Sequence, residues 1–295
     1  MKLALACLFI PSFELAVNLS QHTDLIEDIM SPIALCDPET EKIVDATFSA
    51  QQFGVLPDQT YTQAFTTYPQ LRIIEINKVL TQEISEKFTL IAQEISPVVE
   101  KISSGFLLID LKGMDTYFGG VELLADKIFS LSEAWISKIM GNNANQSIGP
   151  LLQPHLGIAD KRLTAQLAAF YGEPGVLNYI EQTAAVKFLS ALPIELLPLP
   201  PDAIERLRLL QITKIGQFTA LSRSIVESQF GSIGGQAWLA GKNRDTEYLR
   251  SNIFEDEKIF DEIQLLSPIS DLKVLRIFTR NLLAQLLQEM KIKNS

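Results

Sequence analysis

The hydrophobic pattern of the first half of the chain changes repeatedly between strand-like and helix-like spacing. Leu3–Ile10 is a continuous apolar run, which predicts a strand covered on both faces. Leu80, Ile84 and Phe88 lie on one face of a helix predicted over 79–94. Further strands are predicted at 33–36, 42–47, 71–76, 97–102, 105–111 and 155–159. The first two of these are predicted to form a hairpin through a turn at 37–40. Further helices are predicted at 13–20, 62–68, 121–140 and 161–171. Strands and hairpins mixed with helices in this way favour an α+β fold.

The pattern changes after Gly172, and the spacing from there to residue 245 is almost wholly helical. A domain boundary is therefore predicted near residue 172. A second break is expected at 244–257, before a predicted strand at 259–266 and a helix at 271–290. Two local features are also predicted, a polar loop at 141–146 and Asp160 as the N-cap of the helix that follows it.

Composition excludes several classes of protein. The chain has 295 residues, of which 47% are hydrophobic and 20% are charged, so a core can be buried and disorder is excluded. The net charge of −10 argues against a strong, autonomous grip on nucleic acid through a basic face. Two cysteines and two histidines leave little for a disulfide framework, a zinc site or a His-based triad. With no apolar run long enough to span a membrane, we expect a cytoplasmic protein with no membrane contact.

Residues 204–221 contain a candidate DNA-binding hairpin. Two short helices are predicted on either side of 211–216, in the apolar pattern of a helix-hairpin-helix. Such a hairpin turns backbone N–H groups toward a phosphate. The candidate DNA-binding residues are Ile212, Thr213, Lys214, Ile215 and Gly216. Gln211 stands where such hairpins usually begin with glycine, and a plain helical hairpin with two of these isoleucines in a core is the alternative.

Three segments together resemble one family in the right order. They are Leu5–Val17, Ser104–Glu122 and Leu156–Ala169. They look like the palm of the Y-family translesion DNA polymerases, and above all the ImuB-like branch of that family. Ala50–Val55 is similar to the fingers segment of the same family. The hairpin and residues 260–287 extend the resemblance to nearly the whole chain.

The resemblance implies a ferredoxin-like palm with small fingers, an all-α thumb that carries the helix-hairpin-helix, and a partial little finger. Residues 1–171 are expected to form the palm and fingers, with the fingers at about 20–77. Residues 172–245 are expected to form the thumb and 250–295 the partial little finger. The little finger is expected to be truncated because too few residues follow Phe260 for a complete domain.

The resemblance also identifies the positions of the catalytic carboxylates. Active family members use clustered carboxylates to hold two Mg²⁺ ions for nucleotidyl transfer. Phe9 falls on the first metal aspartate, and Pro11 on the second acidic position of the same strand. Gly105 and Phe106 fall on the adjacent Asp-Glu pair. We therefore predict no metal site, no catalytic residue and a chain that is not an enzyme.

The positions that contact the nucleotide triphosphate in the family are changed as well. Phe48 and Gln51 correspond to a Tyr and an Arg of the fingers, and Gln166 corresponds to a Lys of the palm. Because a charge-assisted phosphate contact is lost at these positions, nucleotide binding is expected to be weak. No nucleotide-binding residue and no cofactor are predicted.

The function implied by the resemblance is that of a non-catalytic adaptor in DNA repair and mutagenic translesion synthesis. The expected partners are an error-prone replicative-type polymerase, a RecA-like accessory protein and a sliding clamp, with DNA bound weakly through its phosphate backbone. Two alternatives stay open, an active translesion polymerase with atypical metal ligands and a simple DNA-binding module that acts through the thumb hairpin. A split or decaying remnant, completed by a second polypeptide, is a further reading of the short little finger.

Overall fold

The computed structural model describes residues 5–22 and 31–245, together with Leu25, Leu249 and Arg280. All of these except Arg280 belong to one compact unit, Met1–Ser251. Apart from that arginine, the strand and helix predicted after residue 258 and the partial little finger lie outside the described residues.

Strands and helices alternate along the palm and fingers, and helices dominate the thumb. The strands are β1 (Leu5–Phe9), β2 (Ile33–Asp37), β3 (Lys42–Ala46), β4 (Arg72–Glu75), β5 (Val99–Ser103), β6 (Phe106–Asp110), β7 (His155–Ala159) and β8 (Leu177–Tyr179). The helices up to the end of the palm are α1 (Phe13–Leu19), α2 (Phe48–Gln52), α3 (Tyr61–Thr67), α4 (Lys78–Ala92), α5 (Met114–Phe118), α6 (Val121–Ile148) and α7 (Arg162–Phe170). Those of the thumb are α8 (Gln182–Ala191), α9 (Pro201–Leu209), α10 (Ile215–Ala220) and α11 (Arg223–Gly241), and short 3₁₀ turns lie at Gly149–Leu152 and Ile194–Leu196.

The palm is a five-stranded sheet in the order β5-β6-β1-β7-β8. β1 is central and pairs antiparallel with both β6 and β7, whereas β8 pairs parallel with β7. One face packs against α4 and α6 through a core that includes Leu8, Phe88 and Ile128. The other face is covered by α7, which packs against Cys7 and Leu108. Because both faces are covered, β1 is apolar throughout, as its sequence predicted.

Gly157 lets α7 lie close to the sheet. It sits in the middle of β7, and a Cβ atom there would collide with the backbone of Ala165 and Ala169 on α7. Glycine is therefore required by the close approach of the two backbones. The position matters for the site because α7 carries Arg162, Gln166 and Phe170.

The fingers are a smaller layer of three strands in the order β3-β2-β4. β2 and β3 form the predicted hairpin, and β4 pairs parallel with β2. Ala34, Ile43, Val55 and Leu71 are buried in a core of their own, with helices α2 and α3 beside it.

The thumb is built from α8 to α11 around a separate apolar core. Leu189, Leu207, Ile215 and Phe218 are fully buried in it. The two predicted helices of the hairpin are present as α9 and α10. At Gly231 the backbone adopts a φ of 64°, which kinks α11.

Two local predictions are wrong, and one strand was missed. The predicted loop at 141–146 is helical, because α6 continues to Ile148 and ends only at the 3₁₀ turn that contains Pro150. Lys161, not Asp160, is the N-cap of α7. The Asp160 carboxylate instead accepts a hydrogen bond from Asn243. The short strand β8 was not predicted, and it extends the palm sheet beyond residue 171.

Candidate nucleic-acid site of the palm and thumb

The ends of β1 and β6 bring Phe9 and Phe106 together. These residues are opposite each other in the antiparallel register, and their ring centroids lie 5.2 Å apart. The ring of Phe170 stacks on Phe9 at 5.8 Å, and the His155 ring meets Phe9 edge-on at 6.1 Å. Two of the positions aligned with metal ligands thus belong to an aromatic cluster, defined here as Phe9, Phe106, His155 and Phe170.

Gly105 occupies a position where a side chain would not fit. It lies in the turn between β5 and β6 with a φ of +69°, and a Cβ atom there would lie 2.5 Å from Cβ of Phe13. Its carbonyl oxygen accepts a hydrogen bond from the Ile10 N–H at 2.9 Å. Pro11, the residue after Ile10, lies in an exposed turn. The backbone conformation and the contact with Phe13 both favour glycine at 105.

The residues at these strand ends do not fit the two magnesium ions that the resemblance implies. Mg²⁺ requires oxygen ligands in octahedral geometry, and the aromatic cluster presents ring faces and edges instead. Within residues 5–22 and 31–245, no group of three or more His, Cys, Asp or Glu side chains is placed to hold a metal ion. No chemical step through a metal is assigned to this site.

The three residues aligned with triphosphate contacts lie on two helices, α2 of the fingers and α7 of the palm. Phe48 is the first residue of α2 in the fingers, and its side chain is 73% exposed. Gln51, on the same helix, donates from Nε2 to the Ala46 carbonyl oxygen at 2.8 Å. Gln166 lies on α7 of the palm, where it lines a cavity next to the thumb. That these positions do not bind a nucleotide stays a prediction.

The thumb hairpin exposes some of its predicted DNA-binding residues and buries others. Ile215 is fully buried and Ile212 packs against the thumb core, whereas Thr213 and Lys214 are exposed. Gly216 packs tightly on α8, since a Cβ atom there would lie 2.8 Å from the Ser190 side chain. The side chains of Thr213 and Lys214 are therefore the hairpin groups placed to meet a ligand.

A side chain within the hairpin already binds two of its backbone N–H groups. Gln217 Oε1 accepts hydrogen bonds from the N–H of Thr213 at 2.9 Å and of Lys214 at 3.0 Å. Gln211, just before them, adopts a φ of 60°. This left-handed conformation explains why glycine is the usual residue at that position.

The end of the thumb is tied to the start of α7 by hydrogen bonds that were not predicted from sequence. The buried Asn243 accepts from the Thr164 hydroxyl at 2.7 Å and donates to the Asp160 carboxylate at 2.9 Å. Beside it, Lys161 Nζ donates to the Asp245 carbonyl oxygen at 2.9 Å. The predicted capping role of Asp160 was the only sequence signal at this place. We call these contacts the palm–thumb tether.

A buried ion pair holds α7 against the edge of the palm sheet. Arg162 donates through both terminal nitrogens to the two carboxylate oxygens of Glu100 on β5, at 2.7 and 2.8 Å. The side chains are only 18% and 10% exposed. This bidentate geometry is the strong form of a carboxylate–guanidinium contact.

Asp45 is an acidic group with an unusual environment where the fingers meet the palm. Burial raises the pKa of its carboxyl to about 6, and the nearby Glu14 carboxylate acts in the same direction. Hydrogen bonds from the Ala46 N–H, at 2.7 Å, and from the Ser12 side chain oppose the rise in pKa. Sequence reasoning missed this group, because its burial depends on tertiary packing.

The sequence of the palm and fingers matches a known protein family. The sequence matches the IMS family, described as the impB/mucB/samB family, over residues 8–169. This match covers more than half of the chain and includes the end of β1 and the strands β2 to β7. The chain therefore belongs to the IMS family.

Individual relatives extend the similarity into the thumb. The chain is 27% identical over 197 residues to a DNA polymerase IV of Dehalococcoides mccartyi (strain CBDB1), a match that covers 66% of the chain and 47% of that protein. It is 21% identical over 282 residues to the DNA polymerase IV of Pasteurella multocida (strain Pm70), covering 95% of the chain and 74% of the relative. The chain thus spans about half the length of the first of these relatives.

Solved structures share the fold. The crystal structure of DinB from Sulfolobus solfataricus superposes with a TM-score of 0.67 at 16% identity, covering 84% of this chain and 69% of the other. A Y-family DNA polymerase chimera gives a TM-score of 0.68, also at 16% identity, with 83% and 69% covered. The predicted mixed α+β fold, with palm, fingers and thumb, is confirmed.

The comparisons contradict the prediction that the chain is not an enzyme. The relatives that match it, one of them over 95% of the chain, are named as DNA polymerases. The prediction depended on a few strand-end positions identified through a resemblance, and substitutions at those positions do not by themselves decide the class of the whole protein. That prediction is wrong.

Among the described residues, no helix has the length and apolar character needed to cross a membrane.

Proposed function

We propose that this chain acts in DNA damage bypass, where it holds primer–template DNA against its palm and thumb. The observation that carries the proposal is the family match over residues 8–169, which takes in most of the palm sheet, its covering helices and the fingers. The name DNA polymerase IV, shared by the matched relatives, supports an action on primer–template DNA. The likeness in fold to Y-family polymerase structures is consistent with it.

The thumb hairpin is the part of the chain proposed to contact the DNA backbone. Lys214 is exposed and offers a cation, and the Thr213 hydroxyl lies beside it. Because Gln217 already accepts from the N–H groups of both residues, the phosphate contact is assigned to the two side chains. The buried Ile215 and the half-buried Ile212 and Gly216 are assigned to hold the hairpin in shape.

The finer part of the proposal is an adaptor role of the ImuB-like kind. In this role the chain would bring an error-prone replicative-type polymerase, a RecA-like accessory protein or a sliding clamp to the lesion. The net charge of −10 suits recognition through protein surfaces better than through phosphates. Exposed aromatic side chains on the fingers support this role, since Phe53, Tyr61 and Phe65 are 53%, 47% and 44% exposed. Exposed aromatic surface of this kind marks protein contacts.

A lesion-bypass assay tests the proposal. A primer is annealed to a template with an abasic site, and its extension past the lesion is measured with the chain alone and with the chain added to a replicative-type polymerase. We expect the chain to increase the fraction of primers extended past the lesion in at least one arm. Extension by the chain alone would assign it the polymerase activity, whereas stimulation of the second polymerase would assign it the adaptor role. No increase in either arm would refute the proposed function.

A further inference from the structure

A cavity of about 370 Å³ lies between helix α7 of the palm and the thumb. The palm contributes Leu163 and Gln166, and the thumb contributes Leu197, Gln236 and Leu239. The volume is within the range of pockets that enclose a small molecule. The cavity is separate from Phe48 and Gln51 of the fingers, neither of which lines it.

The charged groups at the cavity do not favour an anion. Arg162 lines it, but both of its terminal nitrogens donate to the Glu100 carboxylate. Asp245 also lines it, and its carboxylate repels an anion. A phosphate would gain little here, because recognising one takes a cation that is not committed to a carboxylate. The ligand that suits this cavity is therefore not an anion.

The uncharged polar groups of the cavity are two carboxamides. Gln166 lines it from the palm and Gln236 from the thumb, and each side chain carries N–H donors and a carbonyl acceptor. The lining also has aliphatic side chains from both sides, Leu163 from the palm and Leu197 and Leu239 from the thumb. A flat ring with donors and acceptors along its edge and apolar faces complements such walls. Nucleobases have this chemistry, and glutamine pairs with a purine edge through two hydrogen bonds.

We infer that this palm–thumb cavity binds an uncharged nucleobase-bearing ligand, a nucleoside. The base lies between the aliphatic walls, and its edge hydrogen-bonds to the carboxamides of Gln166 and Gln236. Because the ligand contacts α7 and α11 together, it adds to the palm–thumb tether formed by Asn243 and stabilises the folded chain. The inference does not depend on whether the chain acts in DNA damage bypass.

Calorimetric titration of the full chain with adenosine, guanosine, cytidine and uridine tests the inference. At least one nucleoside is expected to bind saturably, in the micromolar to sub-millimolar range. Gln166→Leu is expected to weaken that binding by about tenfold or more, because a buried polar edge of the base loses its partner. Ala240→Phe fills the cavity and is expected to abolish binding. The matched control is Gln153→Leu, at an exposed glutamine outside the cavity, which is expected to bind like the wild type.

Three results would overturn the inference. The first is an absence of saturable binding by all four nucleosides. The second is nucleoside binding that Gln166→Leu leaves unchanged, with the folding of this variant verified by circular dichroism. This result decides the matter even if Ala240→Phe does not fold. The third is tighter binding of tripolyphosphate or of a glutamine-containing peptide at the same place, since either would show that the cavity recognises another class of ligand.

Discussion

The ion pair between Arg162 and Glu100 makes a quantitative prediction about what holds α7 on the palm. Replacing Arg162 with methionine leaves the Glu100 carboxylate next to apolar surface without the guanidinium that binds it at 2.7 and 2.8 Å. Removing one partner of a fully buried pair costs about 3–5 kcal/mol. Because these side chains are 18% and 10% exposed, some water remains, and we expect a loss of about 2–3 kcal/mol in the free energy of unfolding.

Urea unfolding of a double-mutant cycle measures this contribution. Arg162→Met and Glu100→Met are each expected to destabilise the chain, and the double variant is expected to be more stable than the sum of the two losses predicts. The expected interaction energy is at least about 1.5 kcal/mol. An interaction energy below about 0.5 kcal/mol would show that the pair behaves like an exposed surface salt bridge, and it would refute this account of how α7 is held.

Three further predictions concern the backbone and one carboxyl group. Gly157→Ala is expected to cost about 3 kcal/mol or more in urea unfolding, because the new Cβ atom meets the backbone of α7. The control Gly175→Ala, in open space at a φ of +69°, should cost only about 1–2 kcal/mol, and equal losses would contradict the steric explanation. Gln211→Gly is expected to gain up to about 1 kcal/mol in thermal unfolding, because it relieves a φ of 60°, and a loss would show that the conformation is not strained. Asp45→Asn is expected to be about 1 kcal/mol more stable than the wild type at neutral pH. The pKa of Asp45 is raised to about 6 in the folded chain, so the wild type loses stability as the pH rises from the ordinary pKa of an aspartate to about 6. The stability difference between Asp45→Asn and the wild type should therefore vanish in acid. A difference that does not change with pH would contradict this explanation.

Much of the fold could be predicted from hydrophobic spacing alone. β1 was predicted because a strand covered on both faces is apolar at every position. The β2–β3 hairpin was predicted from two apolar runs around a turn. The course of α6 beyond residue 140 could not be predicted in this way, because Gly141 and Asn142 have low helix propensity and local preference is weaker than the structural context. The three residues of β8 are too few to show a period.

The candidate site was less predictable, because its contacts join distant parts of the chain. Asn243 and Asp160 are 83 positions apart, so no local pattern links them. The proximity of Phe9 and Phe106 follows from the pairing of β1 with β6, which sequence indicated only through the family resemblance. The conformation of Gln211 is the exception, since the absent glycine of the hairpin was visible in the sequence and the left-handed backbone is present.

The central claim is that this chain engages primer–template DNA, and the salt dependence of that binding tests it most directly. Fluorescence anisotropy of a labelled primer–template duplex would be followed as the full chain is added at a series of salt concentrations. We expect saturable binding whose logarithm falls linearly with the logarithm of salt concentration. Lys214→Ala is expected to reduce the magnitude of that slope by about 1, as the loss of one phosphate contact does. An absence of binding even at low salt would contradict the central claim, and a slope that Lys214→Ala leaves unchanged would contradict the role proposed for the thumb hairpin.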